Sequence, residues 1–234
     1  MSAIYKRDLR AYFTSPVGYV FIASFLFVMN LVFFLMNMLT GENRLTTCYT
    51  IMLYAMMVLV PILTMRTFSE DYKQKTDQLL LTAPVRPSGI VMGKFLAAYT
   101  VFVITLALML VQVIIIAAMS TPNAAIIIGN YIALLSAAAV YISIGCFVSS
   151  LTENQLVANI ATLAINVTLF LLDFAYDLVN LSWIKQILYW ISIYRRFNTF
   201  YVGVFSVADF VFYLCVSAVF LFLTVRVLEK KRWS

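Results

Sequence analysis

The residues that could carry chemistry stand close together in RTFSEDYKQKTDQLLLTAPV (66–85), which places charged side chains between two strongly apolar stretches. The chain has no histidine, so it lacks the commonest metal ligand and the usual proton shuttle at neutral pH. Its three cysteines stand far apart and form neither a CxxC pair nor a disulfide framework. We therefore expect no catalytic, metal or cofactor site in this chain, and binding is the chemistry that the charged segment offers.

The charged segment has the pattern of a short amphipathic helix over 69–83. Ser69 is a typical N-cap residue, and Glu70 and Asp71 in the first turn suit the positive end of the helix dipole. Prolines at positions 84 and 87 predict the end of the helix.

The two faces of this helix predict two different contacts. The apolar face can dock on the protein's own helices, and it consists of Tyr72, Thr76, Leu79, Leu80 and Ala83. The rest of the surface can meet a partner, and it carries Lys73, Gln74, Asp77 and Leu81. The residue types alone leave two alternatives open, because such a helix can either dock a partner or simply anchor its neighbours.

Composition indicates where this segment must lie. The chain has 234 residues, of which 64% are hydrophobic and 11% are charged, against about 25% charged residues in soluble domains. Six apolar runs are long enough to cross a bilayer about 30 Å thick. They are residues 17–39, 49–65, 90–118, 124–148, 156–172 and 208–228. None alternates like a barrel strand, so the sequence predicts an all-α membrane protein in one domain over 1–234.

Basic residues predict the orientation of these spans. Twelve lysines and arginines fall on the side that holds both termini and the charged segment, and four fall on the other side. Because basic residues concentrate in the cytoplasm, we expect both termini and the 69–83 helix to be cytoplasmic. The net charge of +6 then reflects this rule, and we expect no nucleic-acid partner.

Two segments outside the spans have distinct compositions. Residues 1–16 combine apolar and basic side chains and end in a proline, which predicts a helix lying along the lipid interface. Residues 173–207 are rich in aromatic side chains, which favours short re-entrant helices that dip into the outer leaflet. We expect water to hydrate Asp173, Asp177 and Asp209 at the outer ends of the spans.

Polar and small residues inside the spans have two interpretations. Asn159, Thr162 and Asn166 share one face of the fifth helix, where they could line a path or a dimer interface. They could also form interhelical hydrogen bonds, and we favour this second interpretation. The small residues of SAAAVYISIGCFVSS (136–150) predict close packing of the fourth helix.

An acidic helix followed by LLLTAPV between the second and third spans resembles the coupling helix of ABC-2-type transporter permeases. The C-terminal run resembles the gliding-motility-type branch of that family, through Phe197, Phe200, Gly203, Asp209, Arg232 and Trp233. The resemblance extends over nearly the whole chain, including an N-terminal elbow helix that ends in TSPVGY. Arg195 and Arg196 depart from the family pattern in the segment expected on the outer surface.

The resemblance implies a permease subunit of an ATP-driven exporter in the bacterial plasma membrane. No P-loop sequence occurs in the chain, so ATP and Mg²⁺ would be bound by a separate cytoplasmic ABC ATPase, in two copies. Six spans would be half of a transmembrane unit, paired with an identical or related permease. The residues expected to contact the ATPase are Glu70, Asp71, Lys73, Asp77 and Leu81. Those expected to hold the coupling helix to its own bundle are Tyr72, Leu79 and Leu80.

Three hypotheses remain distinct on sequence grounds. The first is this ATP-coupled permease, which moves substrate or transmits force. The second is a channel or secondary transporter without ATP coupling, although such transporters usually carry intramembrane charges that are absent here. The third is an anchoring subunit with no substrate path of its own. The branch is often paired with a membrane-anchored auxiliary protein, which the outer aromatic segment could hold, or that segment could seal the path.

Overall fold

A computed structural model of the chain describes residues 1–40, 45–76, 85–119, 123–179, 181–201 and 206–233. These residues are helical apart from short turns and connections, and six of the helical segments are long and apolar enough to cross a membrane. The predicted all-α, six-span architecture is therefore confirmed. Residues 41–44, 77–84, 120–122, 180, 202–205 and 234 lie outside the described residues, which leaves out the second half of the predicted 69–83 helix and Gly203 of the predicted 173–207 segment.

The spans follow the predicted order with small differences at their ends. They comprise Pro16–Phe33, Thr46–Thr64, Pro87–Leu108, Ala124–Leu151, Gln155–Leu178 and Val207–Trp233. The first continues as a π-helical turn, Phe34–Met38, and the third continues as Leu110–Met119 after a turn at Met109. The fifth span runs on beyond its predicted end at residue 172.

Local sequence signals explain where several of these helices begin. Pro16 and Pro87 lie in the first turns of their helices. Backbone N–H groups have no partner within the helix there, so proline loses no hydrogen bond, and its fixed φ suits a helix. Asn123 and Asn154 cap the fourth and fifth spans, since their side chains accept hydrogen bonds from the N–H groups of Ala125 and Leu156.

The fourth span is the centre of the bundle. Of its most apolar stretch, 83% is buried, against 17% for the fifth span and 22% for the first. Small residues allow this burial: a Cβ added at Gly145 would lie 2.0 Å from the Thr64 hydroxyl of the second span. The close packing predicted from the small residues is confirmed at this contact.

Besides the helix Ser69–Lys73, described below, three short helices lie outside the spans in the described part of the chain. The N-terminal helix, Ser2–Thr14, packs on the third span, where the Tyr5 hydroxyl lies 3.1 Å from that of Thr100. In the segment predicted over 173–207, the helices Ser182–Ile191 and Ile193–Tyr201, which we call the outer helices, pack against the fifth span, and the second also packs against the fourth.

Candidate functional site

The charged segment begins at a tight corner where the second span ends. The backbone N–H groups of Phe68 and Ser69 both donate to Ser149 Oγ of the fourth span, at 3.1 Å each. The prediction that Ser69 caps the helix is wrong, because its own hydroxyl donates back to the Met65 carbonyl. A residue distant in sequence thus supplies the cap, since Ser149 already lies against the corner and also donates to the Met65 carbonyl.

The helix after this corner is shorter than the predicted 69–83 helix. It spans Ser69–Lys73 and ends in a turn in which Lys75 adopts a left-handed backbone conformation, with φ of 57°. The Thr76 N–H donates to the Asp71 carbonyl and its hydroxyl lies 3.0 Å from the Asp71 carboxylate, which closes the turn. We call Met65–Thr76 the corner segment.

Lys94 of the third span is the centre of the charged cluster on this side. Its side chain is only 4% exposed, and its Nζ lies 2.5 Å from Asp71 and 3.2 Å from Asp8 of the N-terminal helix. The same ammonium group donates to the Thr67 carbonyl and lies 5.2 Å from the centre of the Phe68 ring. One buried cation therefore ties three elements together, since a buried charge needs this degree of compensation.

Two arginines extend this cluster around a cavity of about 290 Å³ between the N-terminal helix and the corner segment. Arg66 makes a two-pronged contact with Glu70, both distances being 2.6 Å, and also donates to Ser15. Arg7 pairs with Asp8 and Asp71. Partial burial disfavours the charged form of Arg7, but its hydrogen bond to Asp8 and the attraction of both carboxylates outweigh this effect and raise its pKa.

The structure separates the residues that were assigned to a partner ATPase. Lys73 is exposed, and Glu70 is partly exposed at 27% beside Arg66. Asp71 instead points inward and pairs with Lys94. Its negative charge, which was expected to contact the ATPase, is therefore already neutralised within the chain. Asp77 and Leu81 lie outside the described residues.

Three residues were expected to hold this helix to its own bundle, and Tyr72 is the one that the structure describes. Tyr72 is buried, and Lys231 near the end of the sixth span lies 3.5 Å from the centre of its ring. Lys231 also donates to the Ser150 carbonyl at the end of the fourth span. Leu79 and Leu80 lie outside the described residues.

The polar stripe of the fifth span faces the interior of the chain. Thr162 and Asn166 are fully buried, while Asn159 is half-buried. Asn166 Nδ2 donates to the Met57 carbonyl of the second span at 3.2 Å, and the Thr162 hydroxyl donates to the Ala158 carbonyl. The geometry at Asn166 is that of an interhelical hydrogen bond, which is the interpretation we favoured.

A second charged cluster lies at the opposite ends of the spans. Arg196 and Asp209 are buried and pair at 2.7 Å, and the guanidinium carbon of Arg196 lies 4.0 Å from the centre of the Phe212 ring. The expectation that water hydrates Asp209 is wrong, because Asp209 is buried and the helix Ile193–Tyr201 brings Arg196 to it. Arg195 pairs with Asp173 at 3.2 Å and with Asp177 at 2.6 Å.

Sequence reasoning missed both buried cations. Lys94 was not singled out in the sequence, and Arg195 and Arg196 were treated as departures from a family pattern. A signal existed for the second cluster, since two adjacent arginines stood among three aspartates on the same side of the membrane. For Lys94, nothing in the sequence pointed to Asp8, which is 86 residues earlier.

A family model described as ABC-2 family transporter protein matches residues 42–227 of the chain. No curated protein matches the chain.

Proposed function

This chain belongs to the ABC-2 family of transporter proteins, which makes it the multi-pass membrane component of an ABC transporter, and from this we propose that it is an exporter permease driven by a separate ATPase. The ATPase docks on the side of the charged cluster around Lys94, which is cytoplasmic in this proposal. Two ATPase subunits and a second permease, identical or related, complete the transporter. ATP and Mg²⁺ are bound by the ATPase subunits.

The observation that carries this proposal is the linkage of the corner segment to the rest of the bundle. Asp71 is joined through Lys94 to the third span and through Arg7 and Lys94 to the N-terminal helix. Ser149 joins the start of the same short helix to the fourth span. A push on the exposed side of this helix therefore reaches three other elements through direct contacts.

The mechanism follows from this linkage. ATP binding draws the two ATPase subunits together, and the corner segment moves with the subunit that holds it. Because the segment connects the second and third spans, its movement tilts both, and the Lys94 pairs carry the N-terminal helix along. The permease thus has a two-state element that is biased by a ligand on another chain. In this mechanism the exposed Lys73 contacts the ATPase, with Glu70, Asp77 and Leu81 beside it.

The residues of the fifth-span stripe have a smaller part in this proposal. Asn166 contacts the second span through the Met57 carbonyl, and in this proposal that contact is the pivot about which the second span tilts against the fifth. Asn159 and Thr162 lie on the same face. Movement between these two spans opens and closes the substrate path in the assembled transporter.

The proposal is tested by charge reversal on the exposed surface. We expect Lys73→Glu combined with Leu81→Asp to prevent co-purification of the ATPase in detergent, while the permease is still inserted and folded. The matched control is Lys230→Glu, which reverses an exposed charge at the end of the sixth span on the same side.

The outcomes separate the competing hypotheses. Loss of the ATPase in the double variant, with the ATPase retained in the Lys230→Glu control, supports docking at the corner segment. Transport without any co-purified ATPase would instead indicate a channel or secondary transporter. A bound ATPase that drives no transport would indicate an anchoring subunit.

A further inference from the structure

An open apolar groove runs between the third and sixth spans, away from the charged cluster and the fifth-span stripe. Its volume is about 500 Å³, and the lining side chains recur every three or four residues on both helices. On the third span they extend from Ser88 to Tyr99, and on the sixth from Leu214 to Val225. Each stripe is therefore about 16 Å long at about 1.5 Å per residue.

The floor of the groove is made of small side chains. Ala139 of the fourth span lies between the two stripes, and Ser217 and Ala218 open the wall of the sixth span. The Ser217 hydroxyl donates to the Tyr213 carbonyl at 2.8 Å, so this polar group is already satisfied. The rest of the lining is almost entirely apolar, which suits a hydrocarbon occupant.

The length of the groove distinguishes between two kinds of apolar occupant. A bilayer has a hydrocarbon core about 30 Å thick, so each leaflet provides about 15 Å, which matches the length of the stripes. A transmembrane helix of a partner would need a contact surface across both leaflets, and with side chains it is about 10 Å wide. A groove that extends through one leaflet fits an acyl chain better than a helix.

Basic residues stand at the end of the groove that begins at Ser88 and Val225. Arg86 is exposed two residues before Ser88. Arg226 directly follows Val225, and its guanidinium carbon lies 4.9 Å from the centre of the Phe222 ring in the groove wall. Glu229, at 2.8 Å from Arg226, offsets part of this charge, and both partners of that pair are solvent-accessible. The remaining positive charge suits a phosphate group at the membrane surface.

We propose that this groove binds one acyl chain of an anionic phospholipid from the leaflet on the side of Lys94, with the lipid phosphate beside Arg86 and Arg226. The site goes beyond the proposed function and requires neither the ATPase nor a transported substrate. A lipid bound there fills the space between the third and sixth spans and holds their separation.

The test uses the full chain, purified in detergent and photolabelled with two phosphatidylglycerol probes. One carries a diazirine near the end of its acyl chain, and the other carries it next to the glycerol. We expect the first probe to label the end of the groove near Tyr99 and Leu214, and the second to label the end near Ser88 and Val225. Labelling spread evenly over all lipid-facing helices, or the same for both probes, would overturn the proposal.

Variants sharpen the test. Ala218→Trp fills the groove and displaces the acyl chain. Because the loss of only two buried methylene groups of that chain weakens binding about tenfold, labelling should fall by at least this factor. Val219→Trp, on an exposed neighbouring position outside the lining, is the matched control and should leave labelling unchanged. Equal loss in both variants would contradict a defined site.

The headgroup contact has its own measurement. Arg86→Gln and Arg226→Gln should each weaken phosphatidylglycerol labelling about fivefold, the factor expected for one basic residue near a membrane surface. Unlabelled phosphatidylglycerol should compete, whereas phosphatidylcholine, which has no net charge, should compete several-fold less. Equal competition by both lipids would overturn the assignment of an anionic ligand, and cross-links to a second protein chain would assign the groove to a protein partner.

Discussion

The two charged clusters of the molecule are built differently. Around Lys94, one buried cation contacts carboxylates from two separate elements and a backbone carbonyl from the corner segment. Around Arg196, one buried cation contacts a single carboxylate, Asp209, only 13 residues away in the chain. The first cluster joins distant parts of the bundle, and the second fastens a short helix to the start of the adjacent span.

This difference indicates what each cluster does. In the proposed mechanism, the cation shared between Asp8 and Asp71 makes the N-terminal helix, the corner segment and the third span move as one unit. The pair of Arg196 with Asp209, covered by the Phe212 ring, holds the outer helices in place over the ends of the spans. Both are buried ion pairs, for which removal of one partner costs far more than removal of both.

The largest expected effect is that of Lys94→Met. This change leaves Asp8 and Asp71 without their buried counter-ion, and it should lower the free energy of unfolding by about 3–5 kcal/mol. Denaturation of the purified protein followed by tryptophan fluorescence measures this loss. The triple variant Lys94→Met, Asp8→Asn, Asp71→Asn should recover a large part of the stability. A single variant as stable as the control Lys230→Met would show that Lys94 is not a structural centre.

Arg196→Met should cause a comparable but more local loss, about 3 kcal/mol, since it leaves one buried carboxylate unpaired. Arg196→Met combined with Asp209→Leu should recover most of it. Unlike Lys94→Met, neither variant should alter ATPase activity in the assembled transporter. A change in that activity would contradict the distinction between a transmitting and a fastening cluster.

Glycine substitutions in the fourth span compare the two ends of the bundle without changing any charge. Gly145→Ala forces a Cβ against Thr64, beside the corner segment, and should cost about 1–3 kcal/mol of stability. Gly129→Ala is the matched control toward the outer helices. There the nearest atom to the added Cβ is the Phe200 carbonyl oxygen at 3.9 Å, so the loss should stay within about 0.5 kcal/mol. Equal effects in thermal unfolding would contradict the packing described here.

The smallest expected effect is that of Arg195→Gln. Arg195 pairs with Asp173 and Asp177, but Asp177 is 68% exposed, and surface pairs contribute about 0.2–1 kcal/mol. High salt should weaken this contribution further, whereas the Arg196 pair should be almost insensitive to salt. Comparison of the two variants in low and high salt measures this contrast.

The sequence alone was sufficient for the number and order of the spans, because length and apolar composition nearly determine which helices can cross a bilayer. It also located the corner segment and the close approach of the fourth span at Gly145. The details of the corner segment could not be predicted, because Ser149 and Lys94 act on it from other helices. Local capping rules therefore assigned to Ser69 a function that a residue 80 positions later performs.

Local sequence patterns also could not predict which charged residues are buried. Asp209 stands at the start of an apolar span, where exposure to water is the ordinary expectation. Its burial depends on the helix Ile193–Tyr201, which carries Arg196 to it. Asp8 and Asp71, the partners of Lys94, stand 86 and 23 residues before it in the sequence, and only the packed structure brings them together.

The most direct test of the central claim is a set of distances measured in the assembled transporter by electron spin resonance. With Cys215 replaced by serine, one pair of spin labels joins Lys75→Cys to Arg10→Cys, and a second joins Lys75→Cys to Thr168→Cys of the fifth span. If the corner segment, the N-terminal helix and Lys94 form one moving unit, ATP should change the second distance and leave the first unchanged. A first distance that changes with ATP, or a second that does not, would contradict the account.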